Sequence, residues 1–335
     1  VGPHWSANIR LAWNNGEGQL PRVSKPSAIC ILLSLLLACS AAASEYGRST
    51  YVPGMVGDFA IAVLPDSPGF YLRSDLSAYS GSNTYEELEG ALKVDAELDV
   101  QVLIPRLTWV SGWEWLGARY GAALALPLAQ VTSDARVELH SPGQAASTLT
   151  LSAKQLSISD FYLTPGIFEW KLGAWDVMWL ETLCIPSGAY DSNAGVNASR
   201  NYFALNSSLA TTWRHPDGGP ELDLRASYLV NAENPATHYR TGNELAIDAI
   251  AAWRLDTRWS LGVAGYAYQQ LTGDSGSGAV FGDFKGQAWG AGPLLRYIET
   301  VGERRIAWQA KWIHDFEVTR RYQGDLLLLS VSLRW

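Results

Sequence analysis

Charged and polar side chains recur at alternate positions in several stretches of this chain. Arg73, Asp75 and Tyr79 form one such set, and Lys93, Asp95, Glu97 and Asp99 a second. Asp223 with Arg225, Glu244 with Asp248, and Gln309 and Lys311 with Asp315 keep the same even spacing. In an extended chain, residues two apart point the same way, so each set projects from one side of a strand. Mixed rows of carboxylates and cations suit two roles. They neutralise one another and stiffen a wall, or they line a polar passage that sorts solutes by size and charge.

Catalysis is a weaker reading of the same inventory. Gly273-Asp-Ser-Gly-Ser277 has the look of a protease nucleophile, but that chemistry needs a His base and an Asp orienter, and the segment reads as a flexible Gly/Ser loop. His140-Ser141 is the one pairing suited to a lipid-edge hydrolase, and adjacent residues on an extended chain face opposite ways. No His and Cys stand at metal-ligand spacing, so neither an enzyme, a metal nor a cofactor is expected.

The elements that would position these rows are strands. In 92–102, Leu92, Val94, Ala96, Leu98, Val100 and Val102 alternate with the second charged set. Ile306, Trp308, Ala310 and Trp312 alternate with Arg305, Gln309 and Lys311, and Leu222, Leu224, Ala226 and Tyr228 with Glu221, Asp223, Arg225 and Ser227. Period two with one apolar face predicts strands. Twelve are expected: 70–79, 91–107, 116–130, 149–170, 175–185, 201–213, 221–231, 242–254, 259–270, 285–298, 304–316 and 324–335, the fourth interrupted by Pro165 and Gly166. Most exceed the 5–6 residues usual in soluble sheets and meet the ~9–11 that cross a bilayer. Connections alternate between long (80–90, 131–148, 186–200, 232–241, 271–284, 317–323) and short (108–115, 171–174, 214–220, 255–258, 299–303). An even strand count with long loops on one side and short turns on the other predicts an all-β transmembrane barrel, antiparallel and up-and-down. The apolar face of each strand is expected to meet lipid, and the charged sets to line the lumen.

Composition agrees. The 335 residues are 47% hydrophobic and 17% charged, with 15 Trp and 15 Tyr against 8 Phe. Aromatics with a polar handle suit surfaces that meet both oil and water. Trp109, Trp113, Trp115, Trp170, Trp175, Trp213, Trp253, Trp259 and Trp335 fall near strand ends, where interfacial girdles sit. The net charge of −8 argues against a nucleic-acid partner.

The N-terminal region reads as targeting rather than fold. Arg22 and Lys25 precede the apolar run 28–38, and Cys39-Ser-Ala-Ala-Ala43 follows with small residues, as in a secretory signal peptide. Residues 1–43 are expected to combine an over-extended start with that signal, and Leu36-Leu-Ala-Cys39 leaves a lipid-anchored Cys39 open. At the other end, Leu327, Leu329, Val331, Leu333 and Trp335 share one face of a strand ending on an aromatic residue. That pattern is the terminal signal of bacterial outer-membrane proteins, and Leu327–Trp335 is expected to engage the barrel-assembly machinery.

Several stretches carry a family resemblance: Val56-Gly-Asp-Phe59, Gly69-Phe-Tyr-Leu-Arg-Ser-Asp-Leu76, 235–248 and Gly265-Tyr-Ala-Tyr-Gln-Gln-Leu-Thr272. In this order, over most of 55–335, the chain resembles the outer-membrane proteins of the phenol meta-cleavage (MetA) degradation pathway. It departs at Thr241, where Ser is expected, and at Ile185-Pro-Ser-Gly188, where Pro-Thr-Gly is usual. The resemblance implies an outer-membrane barrel that passes small, often aromatic, compounds. It supplies no catalytic residues.

Residues 44–69 precede the first strand and carry the apolar, Gly- and Pro-punctuated Val52–Pro65. They are expected to plug the barrel mouth or to lie in the periplasm, with 70–335 forming the barrel. The function expected is passive or facilitated uptake of small hydrophobic or aromatic compounds across a Gram-negative outer membrane. The alternative is a barrel with a filled lumen in a structural, adhesive or lipid-edge enzymatic role. A secreted β-sandwich is a third class.

Overall fold

In the computed structural model, residues 49–87, 92–140, 147–279, 284–302 and 304–334 are described. The expected signal segment 1–43, with Cys30 and Cys39, lies outside them, as do Ser141 and Trp335. Fourteen strand segments follow in order: β1 Gly69–Glu87, β2 Leu92–Trp115, β3 Ala118–Ala125, β4 Leu128–Leu139, β5 Ser147–Ile158, β6 Phe161–Leu172, β7 Trp175–Ile185, β8 Ala204–Arg214, β9 Pro220–Asn231, β10 Glu244–Arg254, β11 Trp259–Gln270, β12 Gln287–Val301, β13 Arg304–Thr319 and β14 Gln323–Arg334.

All pairings are antiparallel, and β1 pairs with both β2 and β14, which closes the sheet. β3 and β4 both pair with β2, one above the other, and β6 and β5 pair with them in turn. Each couple is one wall strand bent in the middle, so the fourteen segments make a closed barrel of twelve strands. Closure removes the free edges that an open sheet would expose.

The bends have local causes. Pro127 cannot donate a ladder hydrogen bond, and the chain breaks between β3 and β4 there. β5 and β6 part at Ser159-Asp160, where Asp160 is buried and occupied by the facing loop: it accepts Ser199 Oγ at 2.6 Å, Gly188 N at 3.2 Å and Arg200 N at 2.6 Å. The interruption anticipated at Pro165-Gly166 is only a register shift within the β6–β7 ladder.

Strand lengths depart from expectation at the start of the barrel. β1 and β2 continue well into the expected loop 80–90, and β4 and β5 fill most of 131–148. β2 also runs through the expected turn 108–115. The connection is instead Leu116-Gly117, both at positive φ (50° and 74°), as a two-residue hairpin turn requires. Elsewhere the long connections 186–203, 232–243 and 271–286 lie at one end, and short ones, 173–174 and 255–258 among them, at the other. Gly273–Ser277 is pinned rather than loose: Asp274 is buried and accepts Gln270 Nε2 at 2.6 Å and Gly242 N at 3.0 Å.

The outer face is a band of exposed apolar side chains at alternate positions, including Leu76, Leu103, Leu209, Leu222, Leu224, Leu261, Val263, Leu327 and Leu329. Trp113, Trp115, Trp175, Trp253 and Trp259 stand exposed beside the short turns, with Trp170 and Trp213 half-buried next to them and Trp109 further along β2. Towards the other end, Trp289, Trp312 and Phe316 are exposed as well, a second set the sequence reading passed over.

At Gly292 of β12 an added Cβ would lie 1.9 Å from the Trp312 carbonyl oxygen on β13. Gly292→Val should therefore cost about 1–3 kcal/mol or more by overpacking. The expected result is a reduced compact, heat-modifiable band in unheated gel samples, with Gly265→Ala, whose site meets nothing closer than 3.4 Å, close to wild type.

Candidate functional site

Residues 49–68 thread the interior of the barrel. Tyr51, Phe59, Ala62 and Leu64 are buried. Tyr51 and Phe59 join Leu229, Ile250, Tyr266, Leu294 and Ile313 in one apolar cluster, and Ala62 and Leu64 join Val110, Ile167, Met178 and Leu180 in another. An irregular segment in such a place brings backbone amides and carbonyls that have no ladder to bind.

The wall supplies the missing partners. Ala60 N donates to Glu221 Oε1 at 2.9 Å, Ile61 N to Asp223 Oδ1 at 3.1 Å, Ala62 N to Thr212 Oγ1 at 3.0 Å and Leu64 N to Glu169 Oε1 at 3.2 Å. Lys311 Nζ donates to the carbonyls of Met55 at 3.1 Å and Gly57 at 2.5 Å. Arg119 donates to the Leu64 and Pro65 carbonyls and pairs with Glu169 at 2.8 Å. Side chains of the segment are held likewise: Ser49 Oγ by Glu244 at 2.8 Å, Tyr51 OH by Asp248 at 2.7 Å, and Asp58 by Arg73.

Of the expected lumen residues, Arg73, Asp75, Tyr79, Asp223, Arg225, Glu244, Asp248, Gln309, Lys311 and Asp315 stand on inward positions. Asp75 accepts Arg73 Nε at 2.7 Å and Ser330 Oγ at 2.6 Å. Asp315 accepts Tyr266 OH at 2.5 Å and Tyr79 OH at 3.1 Å.

Lys93, Asp95, Glu97 and Asp99 are on the other side of the wall. Their neighbours Val94, Ala96 and Leu98 are buried, while Asp95 pairs outward with Lys93 at 3.0 Å and accepts Thr84 Oγ1 at 2.8 Å. The reason is what lies behind the strand. Here the inner face of β2 and β4 packs against the folded-in loop residues Val196 and Ala198, so the apolar side turns inward. Further along the same strand the outward set becomes Leu103, Leu107 and Trp109, and the inward set includes Ile104 and Arg106.

Several wall residues were not singled out from sequence. Glu221 shares the Asp223 face and was legible on spacing alone. Arg106 lay on the face assigned to lipid, Arg119 stood alone in its stretch, and Glu169 fell in the strand with the doubtful interruption. Between the segment and the wall lies a cavity of about 1150 Å³. Its lining joins apolar side chains such as Val100, Val102, Ile104 and Leu180 to Arg106 and Arg225.

Residues 82–331 match the family described as "Putative MetA-pathway of phenol degradation". The chain belongs to that family. The match begins inside β1, so the threaded segment precedes the matched residues. No curated protein matches the sequence. Among solved structures, an outer membrane channel from Pseudomonas putida F1 superposes with a TM-score of 0.60 at 15% identity, covering 85% of this chain and all (100%) of that one. A FadL homologue from Pseudomonas aeruginosa gives 0.38 at 9% identity, over 88% of this chain and 97% of its own. The transport unit of the autotransporter AIDA-I from Escherichia coli gives 0.38 at 11% identity, over 82% and 94%. The first of these likenesses shows that the fold is that of an outer-membrane β-barrel.

Two substitutions separate wall charges by role. Lys311→Met leaves the Met55 and Gly57 carbonyls without their donor, at about 1–3 kcal/mol. It should lower the temperature at which the folded band disappears on gels. Combined Asp95→Asn, Glu97→Gln and Asp99→Asn should leave both that temperature and the ion selectivity of reconstituted protein unchanged.

Proposed function

We propose that the protein is an outer-membrane channel for small hydrophobic or aromatic compounds, with its lumen gated by the threaded segment 49–68. The observation that carries this reading is the internal cavity of about 1150 Å³ beside that segment. Ligand pockets usually span about 300–1,000 Å³. A purely structural barrel has no need of such a space. Family membership supports the same direction, since the family description refers to phenol degradation.

In this reading the exposed apolar band lies in lipid and the two aromatic sets sit at its interfaces. The short-turn end, where β1 begins and β14 ends, faces the periplasm, and the long loops face outward. The chain reaches its membrane through the N-terminal signal, and its last strand, Leu327–Trp335, addresses the assembly machinery. The runner-up, a filled barrel without transport, draws on the same threaded segment, and conductance separates the two.

The test is single-channel recording of the folded protein in planar bilayers, with and without residues 49–66. Small or rare current steps from the intact chain, rising several-fold on deletion, are expected. Aromatic solute uptake by cells that carry the intact protein should exceed that of cells without it. Deletion that leaves current unchanged, together with no gain in uptake, would overturn the proposal.

A further inference from the structure

Arg106, Arg225, Arg296 and Arg321 all line the cavity without a close carboxylate. Arg296 and Arg321 lie over the rings of Phe59 and Tyr268, at 4.5 and 4.3 Å, which sets Arg106 and Arg225 apart. Other inward cations have close partners. Arg73 reaches Asp75 at 2.7 Å, Arg119 reaches Glu169 at 2.8 Å and Arg214 reaches Asp176 at 2.6 Å. Lys311 is spent on two backbone carbonyls. Arg225 instead donates to hydroxyls, Nε to Ser227 Oγ at 3.2 Å and Nη2 to Ser208 Oγ at 3.0 Å. Arg106 comes no nearer a carboxylate than 3.9 Å, from Asp75 Oδ2, while Asp75 Oδ1 accepts Arg73 and Ser330. Its side chain stays 45% exposed inside the lumen.

These two arginines stand on nearly opposite walls. β2 and β9 are separated by four wall strands in one direction round the barrel and six in the other. Both line the same cavity, and their charges repel across it. An anion between them removes that repulsion and takes up donors now left to hydroxyls. Guanidinium matches carboxylate in shape as well as charge, through paired N–H donors. The same lining also holds apolar side chains, Val100, Val102 and Ile104 on the Arg106 strand and Met178 and Leu180 on β7.

We infer that Arg106 and Arg225 form the recognition pair of a binding site for small organic acids, with one carboxylate on an apolar body of aromatic size. This rests on the channel reading above and names its substrate class. The nearby acids are shared with other groups: Asp58 and Asp75 pair with Arg73, and Asp248 accepts the Tyr51 hydroxyl.

The experiment is equilibrium titration of the folded, detergent-solubilised protein with benzoate, benzyl alcohol and benzylamine, followed by calorimetry. Benzoate should bind more tightly than the other two. Arg106→Gln and Arg225→Gln should each weaken benzoate roughly tenfold or more, the scale of a lost charged hydrogen bond, without changing benzyl alcohol. Arg106→Lys and Arg225→Lys should restore part of the loss and cover the case in which a Gln variant fails to fold, read by heat-modifiable migration. Asp95→Asn, on the outer face, serves as the control.

Equal affinity for benzoate and benzyl alcohol, or benzoate binding indifferent to both arginines, would overturn the inference. The channel reading is tested separately, since binding in detergent requires no transport. Neutral solute uptake without arginine-dependent benzoate binding sinks only this site. Arginine-dependent binding with no current or uptake sinks only the channel.

Discussion

The structure depends on one exchange: buried wall side chains provide the hydrogen-bond partners that an irregular segment lacks inside a barrel. Four amides between Ala60 and Leu64 find Glu221, Asp223, Thr212 and Glu169, and two carbonyls find Lys311. An unmet buried donor or acceptor costs about 1–3 kcal/mol. Without these partners the segment would be expelled to water. Without the segment, several carboxylates and a lysine would face the lumen unpaired. Each half makes the other tolerable, and the apolar contacts of Tyr51, Phe59 and Leu64 add to what holds them together.

The outer surface follows the same accounting in a different solvent. The described wall strands pair in one closed ladder, the condition for strands to cross lipid. Away from the start of β2, where Lys93, Asp95, Glu97 and Asp99 face outward, the outer band is largely apolar. Glu181 is an exception on the outer face of β7, and its two oxygens accept Trp179 Nε1 at 2.9 Å and Ser207 Oγ at 2.6 Å. A polar group is accepted there because its neighbours on β7 and β8 satisfy it, as Ser208 and Ser227 do for Arg225 on the inner side.

How far the sequence could be read turns on what borders each strand. Twelve wall strands, their antiparallel order and the aromatic clustering at the short turns were legible because period two is local. So were Asp223, Arg225, Glu244, Asp248 and Lys311, which sit where the outer neighbour is an apolar band. Lys93 to Asp99 were misassigned because alternation gives two faces without saying which is inside. The apolar face meets the outer surroundings along Leu103–Trp109 but packs against Val196 and Ala198 nearer the strand's start. One strand carries both phases of polarity, and only the position of a loop a hundred residues away distinguishes them. The pairing of Arg119 with Glu169 was hidden because it depends on the register of β3 against β6, where the two stand directly opposite each other.

That exchange also changes the meaning of a charged lumen. A list of inward charges suggests a strong mixed field across the passage, but most of those charges are already engaged. Glu169, Glu221, Asp223 and Lys311 hold backbone, Glu244 and Asp248 hold side chains of the segment, and Arg73 is shared between Asp58 and Asp75. On the proposal above, a solute in the cavity meets chiefly what is left over. Arg106 and Arg225 keep donors that no carboxylate closes at short range, set among Val100, Val102 and Ile104. If the cavity binds organic acids as inferred above, its selectivity rests on the few charges the segment does not use, and the segment then shapes the site chemically as well as sterically.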